Sequence, residues 1–239
     1  MTHEKNPNFL HHHPRSPISN ALREVVFGVE DGMVSTLGAL TGIAIGTQNH
    51  FAVVLSGFVI VAVESLSMGI GSYISNKSVH ELTKRKLDEE RYEIKKFRKE
   101  EILELERLYI ADGFEKKLAQ QMARAAARKK KLFLKEMAYR ELKVFPAQDG
   151  ASLKDGLTMY VSYIVGGLIP LTPYLFLPLA SALLPSVFIT LFGLFTLGVF
   201  TTRYTKRNWF IAGIEMLLIA GLAVVIGSLV GKLGGKFSV

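Results

Sequence analysis

Apolar residues run almost without interruption over residues 25–74, 157–177, 184–202 and 209–230, and polar residues crowd between and around these stretches. A bilayer core about 30 Å thick takes roughly 20 helical residues. The first run is therefore long enough for two spans joined by a turn at 47–50, and each later run for one. The pattern predicts transmembrane helices near 27–47, 51–75, 157–177, 184–202 and 209–230, an all-α membrane protein with five spans. A soluble helical bundle is excluded, because stretches this long and this free of charge leave too little polar surface to face water.

Charge changes the picture by its position. Residues 76–150 hold 20 Lys and Arg and 14 Asp and Glu, 34 of the 50 charged residues in the chain, so the insert between the second and third spans is a polar domain. No Pro or Gly occurs over 76–108, which predicts that the second span leaves the membrane as one long helix ending at a break at Gly113. Residues 114–142 read as further helix, ended by Pro146 and the Gln148-Asp149-Gly150 turn. The organisation is a polar tail over 1–24, two spans over 25–75, the helical insert over 76–150, three spans over 151–232 and a short tail over 233–239.

The break at 178–185 is uncharged, whereas that at 203–208 carries Arg203, Lys206 and Arg207. By the positive-inside rule the second break is cytosolic, and so, counting back through the spans, are the insert and the amino terminus. Lys232 and Lys236 on the far side are the dissent. No cleavable signal peptide is expected, since residues 1–24 hold no apolar run of signal length. His11, His12 and His13 are ligand types, but read as part of a polar tail. A net charge of +8 admits nucleic acid or an anionic membrane surface. Beside a bilayer, the basic run at 128–131 points to lipid headgroups, and no nucleic-acid partner is expected. The absence of Cys excludes a disulfide scaffold, a thiolate zinc site and a cysteine nucleophile.

Within the insert, Glu90, Glu93, Glu101 and Glu104 fall in an arc of about 80° on a continuous helix, and Met137 and Glu141, four apart, share a face of a later one. Carboxylate oxygens suit divalent Fe, Mn or Mg, and a thioether favours softer ions. On a straight helix Glu90 and Glu104 would stand about 21 Å apart, so one site requires a bend. The competing reading is a solvated face of Glu and Lys pairs.

Inside the spans stand Asp31, Glu64 and Glu215. A carboxylate at mid-bilayer costs about 2.5–3.5 kcal/mol, so such groups line an ion path or find a partner. Asp31 shares a helix face with Ser35, Gly38 and Gly42, and Gly38, Gly42 and Gly46 make a small-xxx-small stripe that permits close helix approach or self-association. Met68 lies one turn beyond Glu64. A path lined by carboxylate and sulfur is one reading; Asp31 as a helix cap, Met68 as packing and Glu215 as a neutral hydrogen-bonded acid are the others.

The segment Phe27-Gly28-Val29-Glu30-Asp31-Gly32-Met33-Val34-Ser35-Thr36, the later Ser67-Met68-Gly69 and Ser72-Tyr73-Ile74-Ser75, and Gly166-Gly167-Leu168-Ile169-Pro170-Leu171-Thr172-Pro173-Tyr174 together resemble the vacuolar iron transporter family over residues 20–232. The resemblance implies five spans, a cytosolic metal-binding domain between the second and third, a homodimer, and export of ferrous iron from the cytosol in exchange for protons. It implies Asp31 and Met68 on the transport path, and Glu90, Glu93, Glu101, Glu104, Met137 and Glu141 as cytosolic metal ligands. Where the family can carry a path carboxylate this chain has Ile60, and Glu64, one turn on, is the candidate titrating group. The expected cargo is Fe²⁺, with Mn²⁺ and Co²⁺ accepted by the same ligand types. No cofactor, catalytic residue or enzymatic activity is expected. The membrane is the plasma membrane in a prokaryote and the vacuolar membrane in a eukaryote. The alternatives are a membrane di-iron oxidase, which usually needs Glu-x-x-His motifs that this sequence lacks, and a non-transporting scaffold.

Overall fold

The computed structural model describes residues 17–143 and 151–236, which form eight helices: α1 (Pro17–Thr47), α2 (His50–Lys96), α3 (Arg98–Ala111), α4 (Lys116–Ala127), α5 (Lys130–Arg140), α6 (Ala151–Phe176), α7 (Leu179–Thr205) and α8 (Trp209–Gly235). No strand occurs among the described residues. His11, His12, His13, Pro146 and the Gln148-Asp149-Gly150 turn lie outside them. The chain divides into two compact units. An apolar unit holds α1, α2 as far as Tyr73, and α6 to α8; a charged unit holds the rest of α2 with α3, α4 and α5.

In the apolar unit α2, α6, α7 and α8 are each long and apolar enough to cross a membrane. Their outward side chains, among them Phe58, Val63, Phe188, Phe192, Leu218 and Leu222, are exposed, an apolar surface that water would not tolerate and lipid would. α1 is not among the apolar helices, because it carries Glu24, Glu30 and Asp31 among many small residues. Its position explains why it can be more polar: its partners are other helices. Gly28 and Gly32 lie against Met159 and Tyr163 of α6, Leu40 reaches Gly57 of α2, and Met33 packs against Gly193 of α7. Leu37 and Leu40 are fully buried.

The fourth partner of α1 is α8. A Cβ on Gly42 would stand 2.8 Å from the Gly227 carbonyl oxygen, and one on Gly46 2.9 Å from that of Gly231, so the two backbones are nearly in contact. The glycine stripe that self-association could have used is thus occupied by a second stripe, Ala223, Gly227 and Gly231, of the same chain. An open groove of about 980 Å³ follows this seam, lined from Val34 and Ser35 to Thr47 on α1 and from Ala223 to Gly234 on α8.

Helix ends differ from the sequence reading where local chemistry outweighs hydropathy. α1 starts at Pro17, well before the apolar run, so Asp31 lies mid-helix and is not a cap. Only Leu177 and Pro178 separate α6 from α7, and residues 179–183, expected as part of a loop, begin α7. Pro178 is the N-cap of α7, where an N–H would have no intrahelical acceptor, whereas Pro185 lies inside the helix. Asn49 Oδ1 accepts from the Ala52 N–H at 3.0 Å, and Asn208 Oδ1 from the Phe210 N–H at 2.9 Å, so an Asn caps both α2 and α8.

The charged unit has its own core: Ile94 of α2, Leu105 and Tyr109 of α3, four alanines of α4, and Phe133 and Met137 of α5. The long helix expected to reach residue 108 is interrupted at Phe97, whose φ and ψ are −119° and 38°. Nothing local demands this break. It turns Ile94 and Leu105, which a straight helix would hold about 16 Å apart, into neighbours in one core. A second break at Lys129 separates α4 from α5, and Gly113, at φ +98°, ends α3 as expected.

Candidate metal-binding sites

The bend at Phe97 decides the geometry of the charged unit. It lets Glu90 on α2, Glu101 on α3 and Glu141 at the end of α5 each present a carboxylate oxygen within 4.8 Å of the other two. Glu90 is 1% exposed and Glu101 7%, yet one Glu90 oxygen has no hydrogen-bond partner. Burial first, then the charges of Glu141 and Glu101, push Glu90 from an ordinary 4.5 up to about 8. Burial first, then Glu104 and Glu141, push Glu101 up to about 7. Glu141 is raised as well, by burial and then by Glu104, while its hydrogen bond with Glu90 acts the other way.

Convergent acids of this kind are unfavourable unless they share protons or a cation. Glu93 and Glu104 are exposed and add negative charge from the side without joining the close trio. Met137 is fully buried, in the core of the unit one turn before Glu141. Of the six residues grouped by sequence, the structure brings three carboxylates into contact distance, keeps two in electrostatic range and puts the thioether in the core. The single arc on one continuous helix does not survive, because that helix bends between Glu93 and Glu101.

In the apolar unit a second constellation joins three helices. Tyr163 of α6 is fully buried; its hydroxyl is 2.5 Å from Ser35 Oγ of α1 and donates to a Glu64 oxygen of α2. Asp31, one turn before Ser35, lies within electrostatic reach of Glu64 and Tyr163. Ser35 also lines the α1–α8 groove. Met68 is half-buried one turn beyond Glu64. Glu215 has a different environment from the one considered for it: it is half-exposed and paired with Arg207 at 2.7 Å, outside this constellation.

Sequence reasoning missed Tyr163, which sits in a long apolar run. The only signal was a phenol in such a run, where a buried hydroxyl needs a partner. It also missed Glu24, which is buried against Arg23 at 2.6 Å and accepts from Ser72 Oγ at 2.8 Å.

The family model described as the VIT family matches residues 22–232. The chain belongs to the VIT family. Among relatives in the family is vacuolar iron transporter 1 of Oryza sativa subsp. japonica, 29% identical over 216 residues, covering 89% of this chain and 86% of that one. Vacuolar iron transporter 1 of Tulipa gesneriana is 27% identical, covering 90% and 89%. The vacuolar iron transporter of Plasmodium berghei (strain Anka) is 27% identical, covering 89% and 81%. The VIT-family match spans both units, so each constellation lies inside the shared region.

Proposed function

We propose that this VIT-family chain is a multi-pass membrane transporter that moves ferrous iron out of the cytosol, with protons passing the other way. The observation that carries the proposal is the trio Glu90, Glu101 and Glu141, three converging carboxylates whose ordinary fate without a cation is to hold protons. The names of the relatives support iron as cargo; Mn²⁺ and Co²⁺ suit the same oxygen and thioether ligands. In this reading α1 is the fifth span, its polarity tolerated because four neighbouring helices surround it. The basic α7–α8 loop supports a cytosolic charged unit and a cytosolic amino terminus. The organisation is then a cytosolic tail over 1–24, spans over 25–75 and 151–232, the metal-binding insert over 76–150 and a far-side tail over 233–239. The membrane is the plasma membrane in a prokaryotic cell and the vacuolar membrane in a eukaryotic one.

Iron is collected by Glu90, Glu101 and Glu141, with Glu93, Glu104 and Met137 completing the ligand set. Because Glu90 and Glu101 hold protons up to about 8 and about 7, binding releases them, and affinity rises with pH through that range. Transport runs past Asp31 and Met68, with Glu64 taking the role of the carboxylate that Ile60 does not supply. A homodimer belongs to this reading; since α8 covers the α1 glycine stripe, the open groove beside that seam is the face left for the second copy. The test is Fe²⁺ uptake into proteoliposomes under a pH gradient. Asp31→Ala should abolish flux, whereas Glu101→Ala should raise the apparent KM more than it lowers maximal flux. Full flux in Asp31→Ala would remove the path from the proposal.

A further inference from the structure

The Glu141 carboxylate stands at the C-cap of α5, beyond the last helical turn, where a side chain is least constrained by its own helix. The residue before it, Arg140, is by contrast held from several sides. The Arg140 guanidinium lies 4.4 Å from the centre of the Tyr109 ring, bonds Glu136 Oε2 through Nε at 3.1 Å, and pairs through Nη1 with Asp112, the C-cap of α3. Tyr109 is itself buried and donates its hydroxyl to the same Glu136 oxygen at 3.1 Å.

These contacts tie the last turn of α5 to the last turn of α3. A planar guanidinium can lie flat on a ring while its in-plane N–H groups bond two carboxylates; an ammonium, a point charge on a flexible stem, has no such plane. The cation is also turned toward Asp112 and Glu136, so the charge next to Glu141 in sequence is already matched. We propose that Arg140 is a positioning residue for the metal site: it clamps α5 to α3 and thereby holds Glu141 against Glu90 and Glu101. The inference rests on the reading of that trio as the iron-collecting site.

The test is Mn²⁺ binding by calorimetry to the full-length protein in lipid nanodiscs. Loss of a group that orients a ligand typically weakens metal affinity by about 10- to 100-fold. Arg140→Ala should therefore lose about tenfold, and Arg140→Lys, which keeps a charge but not the stacked fork, should lie between it and the parent. The decisive readout is coupling. If Arg140 acts through Glu141, the pair Arg140→Ala with Glu141→Gln binds no more weakly than Glu141→Gln alone. A merely structural role would instead give the sum of the two losses, and that result overturns the clamp. Asp112→Asn removes the ion pair between the helices without changing volume, and should show the same lack of additivity should Arg140→Ala fail to fold. Unchanged affinity in Arg140→Ala, with a loss in Glu101→Ala, also overturns the clamp and leaves the site standing. Unchanged affinity in Glu101→Ala and Glu141→Gln alike would instead overturn the site.

Discussion

In the apolar unit Glu24 is met by Arg23 and Ser72, Glu64 by Tyr163, and Glu215 by Arg207; in the charged unit Glu90, Glu101 and Glu141 are met by one another. The difference follows from what surrounds each group. Among apolar helices there is no water to solvate a carboxylate, so the fold provides a donor. In the charged unit three carboxylates converge without a donor between them, the arrangement that the proposed cation site uses. Glu30 and Asp31 are the exceptions in the apolar unit: among the described residues neither carboxylate has a side-chain hydrogen bond or ion pair, and the nearby charge acting on each is another carboxylate. In this one respect they resemble the trio.

The comparison breaks most visibly at Tyr163. Removing its hydroxyl in Tyr163→Phe takes the donor from Glu64, and a charged acceptor left without its partner loses roughly 1.5–3 kcal/mol. Metal flux in proteoliposomes should fall about tenfold or more. Flux equal to the parent would mean that Glu64 does not need its donor and that the two units do not differ as argued.

A middle-sized effect is expected in the charged unit, on stability. Glu90 is raised from 4.5 to about 8, so the folded unit binds more protons than the unfolded one, and the metal-free unit loses stability as pH rises through that window. Glu90→Gln should flatten this dependence, read as hydrogen-exchange protection of α3 and α5 amides across the same pH range. Added Mn²⁺ should protect the parent more at the alkaline end than at the acid end. A parent whose protection grows with pH in the absence of metal would contradict the raised acids.

The smallest effect belongs to Glu215. Its pair with Arg207 is half-exposed on both sides, and exposed pairs contribute about 0–1 kcal/mol. Glu215→Gln should leave metal flux at the parent level, and a tenfold loss would move this residue onto the path.

Hydropathy and charge placement were enough to read an all-helical chain with apolar stretches on either side of a charged insert, because the bilayer and water select side chains by simple partition. Spacing grouped Glu90, Glu93, Glu101 and Glu104 on one face of a straight helix, and Glu141 with Met137, but two helices that meet at a bend replace that single face. The bend at Phe97 was not legible: the segment has no Gly or Pro, and the break is selected by the common burial of Ile94, Leu105 and Tyr109. Without it Glu90 and Glu101 would remain on a straight rod and could not converge with Glu141. Tyr163 as the partner of Glu64, Gly227 and Gly231 as the partners of the α1 glycines, and Arg140 as the tie between α5 and α3 were equally beyond reach. Each is a meeting between residues far apart in sequence, and a one-dimensional pattern records the preference of each side chain for its surroundings but not which distant neighbour supplies them.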